Sequence, residues 1–132
     1  MKTLFVSTTA RNQIIDITKQ VQKVVAENNW RDGLLLVYCP HTTAAISVNE
    51  NADPDVKTDM NAYLKKLVPQ QAGFDHAEGN SDAHIKGSLV GFSQTFIVEN
   101  KKLLLGTWQG IYFMEFDGPR KREVWVKFVG EK

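Results

Sequence analysis

The three histidines of this chain fall in two polar islands. His76 and His84 lie in FDHAEGNSDAHIKGS, residues 74–88, with Glu78, Asn80, Ser81 and Asp82 between them and Lys86 two residues beyond. His41 lies in CPHTTAA, directly after the most apolar run of the chain. Neutral imidazole is a common metal ligand, and three nitrogen ligands with one open position are the usual plan of a catalytic zinc site. The spacing of His76 and His84 is not a helical i, i+4 pair, and HExxH is absent. A loop would have to fold back to bring them together. The alternative is that they are surface or hydrogen-bonding residues, one of them a general acid or base. Glu78 and Asp82 are near enough in sequence to orient an imidazole, or to ligate a hard ion such as magnesium.

Three other stretches carry chemistry-bearing residues. In Gly106-Thr107-Trp108-Gln109-Gly110 the glycines allow close backbone approach. Its N–H groups with the Thr107 hydroxyl suit an anion, and Trp108 offers a stacking face. A tight turn with a packed tryptophan is the plainer alternative. Glu115 interrupts the apolar IYFMEF, and an acid in a buried strand costs free energy unless it is paired. Arg120 and Arg122 are candidate partners. Asn49 and Glu50 either reach a ligand or prepare a helix entry. GxxxxGK[ST], GxGxxG and GxSxG are all missing, which argues against the common nucleotide folds and a covalent hydrolase.

The elements that must position these residues are legible in part. The chain has 132 residues, 42% hydrophobic and 23% charged, which suits one domain with a single substantial core. A net charge of +1 advertises neither nucleic acid nor an anionic membrane as partner. The single cysteine, Cys39, excludes an internal disulfide framework and reads as a small buried hydrophobe in a reducing compartment. With no signal-peptide core and no apolar run of membrane-spanning length, the expectation is a cytoplasmic protein.

Strands are expected at 3–7 and 13–17. A helix follows, with Ile17, Val21, Val24 and Val25 on one face and Asn28-Asn29 at its end. Leu34 to Tyr38 is continuously apolar, as suits a strand covered on both faces. Residues 44–49 read as a further strand. Asp53-Pro54-Asp55 is a helix start with cap, N1 proline and dipole-matched acid, and Pro69 stops that helix. Residues 70–83 read as a long functional loop, with a short helical turn capped by Asp82 beyond it. Strands at 92–99, 103–105, 111–116 and 122–129 complete the chain. The expected fold is α+β: a single domain of mainly antiparallel, sandwich-like sheets, about eight strands, with two to three helices packed on them.

HTTAAISVNENADPDV, DHAEGNSDAHIKGSLVG and LLLGTWQGIYFMEFDGPRKREVWV, in this order, resemble the YjbQ family, often described as secondary thiamine-phosphate synthases. The resemblance covers the chain from about Gly33 to its end. Met114 departs from it, since members often carry a smaller residue or cysteine there. The resemblance implies a β-sandwich core, assembly as a homotrimer, and a polar pocket near the subunit contacts that holds a divalent metal on His41, His76 and His84. It implies that the GTWQG loop and Glu115 line the same pocket. The implied activity joins hydroxymethylpyrimidine diphosphate to a thiazole phosphate and releases pyrophosphate. Catalytic roles then fall to Glu78, Asp82, Lys86 and Glu115. Substrate contacts fall to Asn49, Asn80, Ser88, Thr107, Trp108, Gln109 and Arg120, with Trp108 stacking on the pyrimidine. Three imidazoles favour zinc, whereas diphosphate chemistry favours magnesium, which stands as the alternative. Two other functions compete. One is a metal-dependent small-molecule hydrolase with Glu78 or Asp82 as base; the other is a non-catalytic trimer binding metal or a small ligand.

Overall fold

A computed structural model describes residues 1–131. Eight strands and three helices follow in the order β1 (Lys2–Ser7), β2 (Gln13–Asp16), α1 (Thr18–Glu27), β3 (Gly33–Tyr38), β4 (Ala44–Glu50), α2 (Pro54–Leu67), α3 (Ser81–Val90), β5 (Ser93–Glu99), β6 (Lys102–Leu104), β7 (Gln109–Glu115) and β8 (Lys121–Gly130). They form two sheets, a five-stranded one ordered β1-β8-β3-β5-β6 and a three-stranded one ordered β2-β7-β4. Every pairing is antiparallel. The fold is the α+β sandwich expected of the sequence.

Strand alternation builds the core. On β3, Leu35 and Val37 point inward and are fully buried, while Leu34, Leu36 and Tyr38 point outward. They meet Ala44 and Ile46 of β4, Ile111 and Phe113 of β7, and Val21 and Val25 of α1 in one cluster between the sheets. The other face of the small sheet carries Ile14, Ala45, Tyr112 and Met114 against Ala83 of α3, with Met60 and Leu64 of α2 at the margin. The small sheet is therefore the middle layer, and β7 at its centre is buried along nearly all its length.

Local signals explain most boundaries. Asp53 accepts a hydrogen bond from the Asp55 N–H at 2.9 Å and caps α2, with Pro54 at the first helical position. Asp16 accepts from the Thr18 N–H at 2.9 Å ahead of α1. At Gly110 any Cβ would run into the Asn51 side chain, so the close approach there admits only glycine.

Two expectations are corrected. β3 is not covered on both faces: its outer face is open, and Leu34 is 50% exposed. Unbroken hydrophobicity told of two apolar faces, not of what covers the second. The turn expected after Asp82 is a full helix, α3, with Asn80 rather than Asp82 at its N-cap. Asp82 is drawn inside by basic partners described below.

Phe113 is fully buried between the sheets. Phe113→Ala is expected to lower unfolding free energy by about 3–5 kcal/mol, whereas Tyr63→Ala, on an exposed position of α2, should change it by under about 0.5 kcal/mol. Chemical denaturation of both variants at one protein concentration checks this.

Candidate functional site

A polar cavity of about 500 Å³ opens at one end of the sandwich. Three stretches of chain build its wall. Pro40, His41, Thr42 and Thr43 lie between β3 and β4; His76, Glu78, Asn80 and His84 come from the long loop and α3; Asp117, Arg120 and Arg122 come from the β7–β8 connection and the start of β8.

The floor is a buried ion pair. Glu115 is fully buried, and Arg122, 5% exposed, grips it with Nε and Nη2. Glu115 Oε2 also accepts from the Thr8 hydroxyl at 2.8 Å, and Oε1 accepts from the N–H groups of Phe116 and Asp117, both at 3.0 Å. Burial pushes the Glu115 carboxyl up, but the bonds from Arg122, Asp117 N–H and Thr8 outweigh it and hold it below its ordinary range. Arg122 Nη2 continues to the Thr43 hydroxyl at 2.8 Å. The acid that interrupts IYFMEF is thus paired, and it lies behind the cavity wall rather than in it.

A second network fixes α3. Asp82 is fully buried and accepts both Nη atoms of Arg11, at 2.8 and 3.0 Å. Lys86, 1% exposed, places its ammonium 3.2 Å from Asp82 Oδ2 and donates to Asn12 Oδ1 at 2.9 Å. Desolvation raises the Asp82 carboxyl, but Arg11 and Lys86 bring it below its usual value; desolvation lowers the Lys86 ammonium. Neither residue lines the cavity. Asp82 has no free oxygen for a general base, and Lys86 has no route to a leaving group. They position the helix that presents His84.

The histidines do share the cavity, but in two roles. The His76 and His84 rings stand edge to face with centroids 5.5 Å apart. His41 is different, because its Nε2 accepts the backbone N–H of Glu123 at 2.9 Å. A neutral imidazole has one donor and one acceptor nitrogen, so this bond puts the proton on Nδ1 and removes the lone pair a metal needs. Desolvation and the nearby Arg122 charge lower its pKa, which keeps the ring neutral. Among the described residues, no three His, Cys, Asp or Glu side chains stand together as a metal-binding group. The expected three-histidine site is therefore not formed in one chain; its third member is spent on β8.

Of the other expected residues, Glu78, Asn80 and Arg120 line the cavity, and Asn49, Ser88, Thr107, Trp108 and Gln109 do not. Asn49 accepts from its neighbour's N–H, and Ser88 donates back to the His84 carbonyl inside α3. The GTWQG loop sits where β7 begins, and the cavity lies where β7 ends. Six residue steps of strand separate the two ends by roughly 20 Å. Gln109 closes that loop by accepting from the Gly106 N–H at 2.8 Å, so it is a tight turn, but its Trp108 is 61% exposed rather than packed. Cys39 is buried with its thiol pushed up to about 11, which leaves it inert at neutral pH. Thr43, from the polar island of His41, lies in the wall, and so does Asp117, which the sequence reading does not single out; the register of β7 against β4, which pairs Ala44 with Glu115, brings the two segments together.

The chain matches the family described as UPF0047 protein YjbQ-like over residues 2–131. It is 54% identical to a UPF0047 protein of Methanocaldococcus jannaschii, over 96% of this chain and 92% of that one. It superposes with a TM-score of 0.95 on the crystal structure of an uncharacterized conserved protein of the YjbQ/UPF0047 family from Clostridium acetobutylicum, at 54% identity, covering 98% of this chain and all of that one. A YbjQ-like protein of unknown function from Sulfolobus solfataricus gives a TM-score of 0.94 at 32% identity, covering 98% and 96%. These proteins are named as uncharacterised or of unknown function, or by family number alone; thiamine-phosphate synthesis is named for none of them. The synthase expectation is overturned on that ground. The geometry agrees: Trp108 is a strand's length from the cavity, and Lys86 is enclosed.

Glu115 and Asp82 have folded pKa values below their ordinary values of 4.5 and 3.8. Their stabilisation is complete above those ordinary values and is lost as pH falls through the folded ones. Acid titration of stability should therefore be shallower for Glu115→Gln than for the parent chain. Arg122→Met, which leaves Glu115 buried without its cation, should cost about 3–5 kcal/mol at neutral pH; Arg120→Met, at an exposed pair, under about 1 kcal/mol. Denaturation midpoints across pH 2–7 read both.

Proposed function

This chain belongs to the YjbQ-like UPF0047 family, and we propose that its cavity binds a divalent cation on His76 and His84 together with a small anionic molecule. The observation that carries this reading is the facing pair of imidazoles. Two imidazoles on one tetrahedral zinc, with Zn–N bonds of about 2.0–2.1 Å, place their ring centroids roughly 5 Å apart. The pair stands at 5.5 Å in a polar cavity. Imidazole nitrogens favour zinc over magnesium. Such an ion would supply a Lewis acid to an oxygen of the bound anion.

The remaining wall supports the anion. Arg120 lines the cavity beside Asp117, to which its Nη2 is bonded at 3.0 Å. His41 presents Nδ1–H as a neutral donor. Arg122 lines the wall with its Nε and Nη2 already committed to Glu115 and Thr43, so Nη1 is the donor it has left. Glu78, 4.0 Å from His76 Nε2, is placed to orient that ring.

The proposal includes self-association as a homotrimer through the open face of the five-stranded sheet. Val129, Leu34, Ile97 and Leu104 are exposed there and the register sets them side by side, with exposed Leu36 next to Leu34 along the outer face of β3. A contiguous apolar face of this kind is uncommon on a monomer's surface. Tyr38, stacked on Trp125 at 5.9 Å, ends this face next to the cavity, so a neighbouring copy would stand at its rim. No helix among the described residues is long and apolar enough to cross a membrane. A cytoplasmic setting accords with the lone buried Cys39.

Equilibrium dialysis against zinc tests the cation reading. The expected result is one ion per chain, with affinity reduced at least about a hundredfold in His76→Ala and in His84→Ala, and by less than about threefold in His41→Ala. Loss of binding in His41→Ala alone would sink the assignment. For the assembly, sedimentation equilibrium should give a trimer mass for the parent chain and a monomer for Leu34→Lys/Val129→Lys.

A further inference from the structure

One residue of the cavity wall carries a buried polar atom without a partner. Asn80 is 5% exposed and lines the cavity, and its carboxamide oxygen Oδ1 is buried without a hydrogen bond. Its amide nitrogen Nδ2 donates to Asp117 Oδ2 at 2.8 Å and to Glu78 Oε2 at 3.3 Å. Both partners are carboxylates and only accept. Turning the carboxamide over would set an oxygen against two carboxylates, so its polarity is fixed. Asp117 is itself held, accepting from Arg120 Nη2 at 3.0 Å. Asn80 also occupies the N-cap of α3, where an asparagine oxygen normally accepts from the first turn, yet it makes no such bond. The oxygen is committed neither to the helix nor to a neighbour. A buried carbonyl without a donor is costly, and an arriving donor recovers that cost.

We propose that Asn80 is a specificity-determining residue: it selects, among small anions, those that carry a neutral O–H or N–H donor beside the anionic group. This rests on the anion-binding reading of the cavity. The ligand class is hydroxylated or amide-bearing phosphates, phosphonates and carboxylates. The arginines and the His41 N–H take the anionic end, and Asn80 Oδ1 accepts from the donor. A ligand with a methyl group in that place leaves the oxygen as unpartnered as before.

The test is calorimetric titration of the full chain, zinc present, with hydroxymethylphosphonate and with ethylphosphonate, which differ by hydroxyl against methyl. The parent chain is expected to bind hydroxymethylphosphonate about tenfold more tightly. In Asn80→Ala the two affinities should converge to within about twofold. Equal affinities in the parent chain would overturn the role of Asn80 while leaving the anion site standing, and need no variant to fold. A preference that survives Asn80→Ala would assign the selection to another group, such as the ion, and overturn the proposal. Binding of neither probe would overturn the anion site itself, and the selection with it.

Discussion

The cavity depends on the buried pair of Glu115 and Arg122. Glu115 ends the middle strand of the small sheet and Arg122 begins the inner part of β8 in the large one, so the pair ties the two layers at one end of the sandwich. Its remaining capacity is spent on backbone. Glu115 Oε1 takes the N–H groups of Phe116 and Asp117, which fixes the turn that aims Asp117 and Arg120. Arg122 reaches Thr43 and so fixes the segment carrying His41. A pair like this adds little to stability against an apolar substitute, because desolvation consumes most of its Coulomb energy. Its value lies in geometry: hydrophobic residues of the same volume would close the sandwich and leave three loops with no common reference.

The helical wall is held by the same device used again. Arg11, from the β1–β2 turn, and Lys86, one helical turn after Asp82, converge on a carboxylate with no access to water. The second cation is offset by Asp117, 4.0 Å from Arg11 Nη2, while Asn12 Oδ1 and the Phe116 ring face, 5.6 Å from Nζ, receive the Lys86 ammonium. Because His84 follows Asp82 by two residues on α3, fixing the acid fixes the imidazole. His76 has no such anchor. It comes from the exposed part of the loop, so the pair joins one rigid imidazole to one supported only by its neighbours.

Most of the fold was legible because its signals are local. Alternation over 122–129, the helical period of Ile17, Val21 and Val25, and the Asp53-Pro54-Asp55 start each report on a few adjacent residues, and each element lies where it was expected. The site was legible in type but not in pairing. Glu115 announced a buried cation, and Arg122 supplies it. Asp82 and Lys86 are charged and near histidines, yet their spacing of four on a helix is equally that of an internal ion pair. The GTWQG loop failed for a topological reason: a strand has two ends, and composition does not say which of them faces the site. His41 failed for an electronic one, since the backbone N–H of Glu123 that takes its lone pair belongs to a strand 82 residues away.

The charges of the cavity bear on what it can hold. Arg120 and Arg122 are balanced by Glu78 and Asp117, and His41 is neutral, so these groups carry no net charge to draw an ion of either sign from a distance. Donors and acceptors are nevertheless partly segregated: Arg122 and His41 meet over β8, while Glu78 and Asp117 meet at Asn80, where Arg120 bonds Asp117. A balanced but divided wall favours a ligand that is itself divided, a cation with its anion, or an anion with a neutral donor attached. Long-range steering would contribute little to such recognition, because the field of the neutral lining falls away outside the mouth. Selectivity would rest on short contacts to fixed groups. That is the setting in which one locked carboxamide can decide between a hydroxyl and a methyl group.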